Sequence, residues 1–374
     1  MFREQARFTI FTCAARFREI IPVEGGGYEQ VIGGGLANRQ GVMTITHSLI
    51  SHNATNVLEP FRYGAGGGIH NDGMLWLDNS TVRDNETQWF GGGIDNGGQA
   101  WVSNSTISHN QADWIAGGII NGGRLTLTYS TVTGNTALDQ FIDPLTHGGG
   151  GISNGGFLTL THTIVSGNTA VVGAEINNDE NIGSGNIIHA GNYNVIGYGN
   201  SARSENFSPY GTDVVPEGAL DTVLDPILAD KTHALVPNSP ALDLIPLETC
   251  LATGYMMDQR GVTRPQGAAC DSGAVEMAWY LLTVAQSGEG IGVVTSVPEG
   301  IACGLSCTMS LWESTAVTLT AVAAPESTFT GWTGACQGTA DCVVTMTMSH
   351  AVTATFDLIP PTPTPTLTPS PTPT

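Results

Sequence analysis

Between Gly33 and Asn178 the chain repeats one short line of text, and that repetition limits what it can fold into more than any other feature. The clearest copies read GGGIDNGGQAWVSNSTISHNQADWIA from Gly91 and AGGIINGGRLTLTYSTVTGNTA from Ala116. The apolar residue after the glycines falls at Leu36, Ile69, Ile94, Ile119, Ile152 and Ile176, in steps of 33, 25, 25, 33 and 24. Such a period, broken twice by an insertion of similar size, marks a solenoid. No single copy can bury its own apolar face, so stacked copies share one core.

Aligning the copies turns letters into columns: Leu75, Ala100, Leu125 and Leu158; Leu77, Val102, Leu127 and Leu160; Val82, Ile107, Val132 and Val165. Within a copy the apolar positions recur every second residue in short runs rich in Thr and β-branched residues, which is strand and not helix periodicity. Turns are expected at Asp72-Gly73, near Asp78 and Asn79, and after Asn85. Three strands and three corners make one coil, and coils paired in parallel about 4.8 Å apart make an all-β parallel β-helix. Two polar columns, Asn38/Asn71/Asn96/Asn121/Asn154 and Asn53/Asn85/Asn110/Asn135/Asn168, fit a structural role: corner side chains bonding their equivalents above and below. The Ser48, Ser80, Ser105, Ser130 and Thr163 column has the same reading.

Composition narrows the function classes. Of 374 residues only 12% are charged, and the net charge is -21 with Lys231 the single lysine. So acidic a surface repels nucleic acid and anionic membranes, and neither is expected as a partner. No apolar run is long enough to span a bilayer, so no membrane insertion is expected. Residues 1–32 form a separate, uncertain segment. Arg3, Arg7, Arg16 and Arg18 interrupt every candidate export signal, and Glu24 to Gly35 reads like a degraded repeat, as expected of an N-terminally truncated solenoid.

Beyond the repeats come NIIHAGNYNVIG from Asn186, HALVPNSPALDLIPLETC from His233 to Cys250, and DQRGVTRPQGAACDSGAVE from Asp258 to Glu276. Together with the GGGI and STISGNTA-like repeats, these segments resemble the bacterial choice-of-anchor Q domain, a family of secreted or surface proteins. The resemblance implies a right-handed parallel β-helix over 33–200, closed by a C-terminal cap over 201–277 with a Cys250–Cys270 disulfide inside it. It implies surface attachment and no particular chemistry.

From 278 to 357 the composition shifts to alternating Val and Thr ending in VTATF, and this segment resembles the bacterial repeat domain related to internalin-type B repeats, small β modules of surface proteins. Cys303, Cys307, Cys336 and Cys342 allow three disulfide connectivities. A zinc site is the alternative, but the spacing lacks a Cys-x-x-Cys knuckle and no His lies nearby. Disulfides fit a small module in an oxidising compartment, hence an extracellular or cell-surface location. Residues 358–374 alternate Pro and Thr and are expected to be a disordered linker or tail in the extended polyproline form.

Both long steps between copies leave from the corner after the Asn53 to Asn168 column. Their inserted segments hold Tyr63 and Arg62 on one side and Asp139, Asp143 and His147 on the other, and should flank a trough with Trp89 and Trp114 on its floor. Trp76 and Trp101, also 25 residues apart, should point outward as a neighbouring pair. Flat apolar area beside polar groups is what sugar rings bind, so Trp76, Trp101, Trp89, Trp114 and Tyr63 are candidate ligand-binding residues for an extracellular polysaccharide or cell-surface glycan. The competing reading makes the tryptophans a cover for the solenoid's side. A polysaccharide lyase or glycosidase is the alternative function, and it needs paired acids or an acid with a base. Asp95, Asp139, Asp143 and Arg62 are its candidates, and no catalytic assignment follows from their spacing. Calcium is compatible with the acidic loops but no ligand motif supports it, and no cofactor is expected.

Overall fold

The computed structural model describes residues 29–55, 62–138, 148–179, 186–229, 231–303 and 307–360, preceded by two short strands, Gln5–Phe8 and Ile20–Ile21. The chain divides into two compact units, Met1–Met277 and Ala278–Thr374.

The first unit is a parallel β-helix. Its first face stacks Leu36–Asn38, Ile69–Asn71, Ile94–Asn96, Ile119–Asn121, Ile152–Asn154 and Ile176–Asn178. The second stacks Val42–Thr46, Met74–Asp78, Gln99–Ser103, Arg124–Thr128, Phe157–Thr161 and Ile187–His189. The third runs through Leu49–Ser51, Thr81–Arg83, Thr106–Ser108, Thr131–Thr133, Ile164–Val165 and Val195–Ile196. Each main coil thus carries the three expected strands. The corner after Asn85 adds a fourth, two-residue ladder: Ala54–Thr55, Glu86–Thr87, Gln111–Ala112 and Thr136–Ala137. Every aligned column becomes a physical stripe, because partners across each ladder are the equivalent residues of neighbouring copies. Leu75, Leu77, Val82, Ile94, Ile107, Ile119, Leu127 and Val132 fill the interior with no exposed surface.

The corners are held by side-chain amides. The Nδ2 of Asn53, Asn85, Asn110 and Asn135 donates to the Oδ1 of the next asparagine at 2.8–2.9 Å. Each backbone N–H in this column donates to the same oxygen. The second Nδ2 hydrogen of Asn85, Asn110 and Asn135 returns to a carbonyl of the preceding coil, on Ile50, Val82 and Ile107. Asn168 ends the column on the buried carboxylate of Glu175, 2.7 Å away. Burial pushes the Glu175 carboxyl up to about 7, against the pull of the Asn168 and Gly167 donors and of Arg203. The other column, Asn38 through Asn154 to Asn178, forms a second ladder of the same kind. Serines do the equivalent work at the third corner, where the N–H groups of Ser48, Ser80 and Ser105 meet the hydroxyl one coil on.

The ladders explain the glycine triplet. Gly91 sits at φ +62°, where the chain turns onto the first face. A Cβ on Gly92 would come 2.4 Å from the Gln111 carbonyl oxygen, and one on Gly93 2.9 Å from Nδ2 of Asn110. The triplet therefore makes the room the amide ladder needs.

The cap closes over the third face. Gln259 donates to Ser80 O and Thr81 Oγ1 and accepts from Thr106 Oγ1, while Ala274 N donates to Thr131 Oγ1 and Gly273 N to His162 O. At its centre Arg264, fully enclosed, donates to Glu276, to the carbonyls of Asp271 and Gly273, and lies 4.4 Å from the Tyr129 ring centroid. Asp258 accepts from Arg260, Val262 and Glu276 N–H groups. Burial raises the Asp271 and Glu276 carboxyls, and burial beside Arg264 holds His162 down to about 4. The Cys250–Cys270 disulfide, Cα atoms 6.0 Å apart, ties the cap together.

The second unit packs two four-stranded sheets around Leu282, Val284, Leu319, Trp332, Val352 and Phe356. Cys303 pairs with Cys307 and Cys336 with Cys342, the local member of the three possible connectivities. This unit contains no lysine or arginine.

Two stability measurements follow. Asn110→Ala strips the acceptor from two N–H groups of Asn85 and should cost roughly 2–4 kcal/mol in urea unfolding. Arg264→Ala leaves Glu276 buried without its partner and should cost roughly 3–5 kcal/mol, read the same way.

Candidate functional site

Outward residues of the second face carry the most distinctive surface chemistry. Trp76 and Trp101 are register partners, with ring centroids 4.7 Å apart and planes 11° from parallel. Rings at van der Waals separation with that centroid distance are offset by roughly 3 Å, so they overlap like tiles. Each shields part of the other and leaves part of a face outward; Trp76 is 37% exposed. Thr44 and Thr126 flank the pair in register, so small side chains border it on both sides. Ser103 donates to Asp78 at 2.7 Å along the same edge.

Next to this pair, toward the first face, runs a groove. Its floor is the column of turns at Gly73, Gly98, Gly123 and Gly156, stacked so closely that a Cβ on any of them would lie 2.0–2.4 Å from a glycine carbonyl oxygen of the preceding coil. One segment, of about 410 Å3, is lined by Gly98, Gln99, Gly123, Arg124, Gly156 and Phe157. An adjoining segment, lined by Gln40, Asp72, Met74 and Gln99 among others, shares Gly98 and Gln99 with it. The guanidinium of Arg124 lies 4.4 Å from the Phe157 ring centroid, and both side chains are exposed.

On the first-face side of the groove, His70 is clamped between carboxylates. Its Nδ1 is 2.7 Å from Asp95 Oδ2 and its Nε2 3.0 Å from Asp72 Oδ2. Burial alone lowers the imidazole pKa, but the Asp95 hydrogen bond and charge, with Asp72, outweigh it and raise it above 6.5. Strand alternation puts His70, Asp95, Ile120 and Ser153 at the outward position of the first-face strands, yet His70, Ile120 and Ser153 are buried. Phe90 bridges to Ala65 and Ile115 of the neighbouring coils just before the chain enters this face, and Ile120 joins Ile115 and Ala116 in a small apolar cluster there.

Trp114 and Phe90 pack against that cluster, and Trp89 meets Trp114 edge-on with centroids 5.2 Å apart. The two tryptophans are thus partly buried packing elements at this corner, and not tiles like Trp76 and Trp101. Their corner is the one from which both insertions leave, since Ala54–Thr55 and Thr136–Ala137 belong to its ladder. Asp139 and Asp143 lie outside the described residues, as do the side chains of Arg62 and Tyr63, whose backbone joins the strand Arg62–Ala65. Of the catalytic candidates only Asp95 is placed, and it meets an imidazole. Among the described residues no group of three or more His, Cys, Asp or Glu is arranged to hold a metal ion, and no helix is long and apolar enough to cross a membrane. The groove and the His70 clamp were not anticipated; the signal was the Asn-Asp-Gly or Asn-Gly-Gly triplet recurring at 71–73, 96–98, 121–123 and 154–156.

The architecture is that of a parallel β-helix joined to a small β module. Residues 282–360 match a family model described as a divergent InlB B-repeat domain, which makes the second unit similar to that domain. No curated protein and no solved structure matches the chain.

The His70 clamp has a defined pH dependence. A histidine whose pKa is raised on folding stabilises the fold fully below about 6.5 and loses that contribution as pH rises through its folded value. The difference in unfolding free energy between wild type and His70→Gln should be largest near pH 6 and shrink toward pH 8.5.

Proposed function

We propose that this is an extracellular or cell-surface protein whose β-helix presents a glycan-binding or adhesive surface, with the B-repeat-like unit and the Pro/Thr segment acting as spacer. The observation that carries the reading is the stacked, half-exposed Trp76–Trp101 pair beside a groove whose polar side chains, Gln99, Asp72 and Arg124, suit hydroxyl groups. Aromatic faces next to a few placed polar groups favour sugar rings, which have an apolar face and a hydroxylated rim. Three disulfides favour an oxidising compartment. Reading the β-helix as a choice-of-anchor Q domain fits the same location: its DQRG, RPQG and CDSGA segments are the ones that build the Arg264, Asp258 and Glu276 network. Trp89 and Trp114, both half-buried, would border a second part of the surface.

The full chain should show Trp fluorescence changes with some members of a polysaccharide panel without releasing products. Trp76→Ala and Trp101→Ala should each weaken binding by about tenfold, equivalent to about 1.4 kcal/mol. Release of reducing or unsaturated sugar ends would favour a lyase or glycosidase instead, and absence of any response would reject the glycan reading.

A further inference from the structure

The groove runs from coil to coil, so its long axis is the axis of the solenoid. Its two segments meet at Gly98 and Gln99 and together pass five successive turns, at Gly41, Gly73, Gly98, Gly123 and Gly156. The backbone beneath offers little to a ligand. Carbonyls of Gly41, Gly73, Gly98 and Gly123 already accept from Met74, Gln99, Arg124 and Phe157, one coil on. Polar recognition is therefore left to Gln40, Gln99, Asp72 and Arg124, while Val42, Met74 and Phe157 supply apolar area in the groove and the two tryptophan tiles supply it on the neighbouring face. The lining carries one carboxylate, Asp72, and one cation, Arg124, so the groove has no net preference for an anion, and the protein's charge of -21 works against one.

We infer that the ligand is an extended, uncharged polysaccharide lying along the coil axis, one sugar residue to each coil. The groove advances by one strand spacing per coil, about 4.8 Å, close to the length of a single pyranose in an extended, diequatorially linked chain. Neighbouring sugars of such a chain are turned over with respect to each other, so every second sugar presents the same edge to every second coil, and each added sugar gains a further turn of floor and a further bank residue: Val42, Met74, Gln99, Arg124 or Phe157. A chain crossing the coils at right angles would meet only one such set. Trp76 and Trp101 stand two residues past the bank residues Met74 and Gln99 on the second face, so the two sugars bound at the Gly73 and Gly98 turns are the ones that would reach the tiles.

The inference rests on the glycan reading, and a length series separates the two. The full chain is titrated with neutral β-1,4-linked oligosaccharides, cello- and N-acetylated chito-oligosaccharides of two to eight sugars, with oligogalacturonides as the anionic comparison. Affinity should rise with each sugar up to about five, one per turn of the groove, and then level off. Oligogalacturonides should bind at least about tenfold more weakly. Trp101→Ala should lower affinity at every length. Phe157→Ala, at the far end of the groove and exposed in the fold, should lower the affinity for the pentasaccharide and leave that for the disaccharide unchanged. Equal affinity for disaccharide and octasaccharide overturns the axial register and leaves glycan binding standing. Tighter binding of oligogalacturonides overturns the assignment of an uncharged ligand, and no binding of any probe or of the polysaccharide panel overturns both readings.

Discussion

The structure depends first on satisfying polar backbone at the corners of the coils. A strand ladder takes care of its own N–H and C=O groups, but each coil must turn several times, and the asparagines at two of those corners are buried. A buried amide left without a partner costs about as much as several methylenes of burial gain. The asparagine ladders remove this cost repeatedly. One side chain accepts from the N–H and the Nδ2 of the coil before it and donates both to the coil after it and back to a carbonyl. Because every amide points the same way, the run needs an acceptor at its end, and Glu175 supplies one, at the cost of a buried carboxyl held far above its usual range.

The same constraint accounts for the surface. Close stacking of the corners forces glycine at successive turns, since there is no room for a Cβ between one turn and the next. Where the first and second faces meet, this leaves a channel bare of side chains along the solenoid. The columns beside the channel are free to vary because they do not hold the fold. Thr is the usual occupant of the central outward column, and two adjacent coils replace it by Trp. A structural need in the corner and a free choice on the strand together make the groove and its aromatic bank.

Closure of the third face follows a different logic. Instead of repetition it uses one dense network, in which Arg264, Glu276, Asp271 and Asp258 meet each other and the backbone with little exposure to water. Ion pairs in such a place are specific before they are strong, because each charge is tolerated only in the one arrangement that pairs it. The polar and charged residues of the DQRG, RPQG and CDSGA segments thus belong to the architecture, and none of them opens onto the groove.

Most of the β-helix was legible in the sequence, because a solenoid converts period directly into contact: Ile69, Ile94 and Ile119 are neighbours in space for the same reason that they align in text. The outward direction of Trp76 and Trp101, the role of both asparagine columns and the site of the insertions follow from alternation and counting alone. Tertiary structure decided what alternation cannot express. Whether an outward residue sees water depends on what packs against it: Ile120 is covered by Ile115 and Ala116, and His70 is buried between Asp72 of its own coil and Asp95 of the next. The pairing of the four cysteines in the second unit depended on which loops meet, and the tilt of the tryptophans on how two wide rings fit one strand spacing. Sequence fixes which residues share a stripe; only packing fixes which stripes remain open.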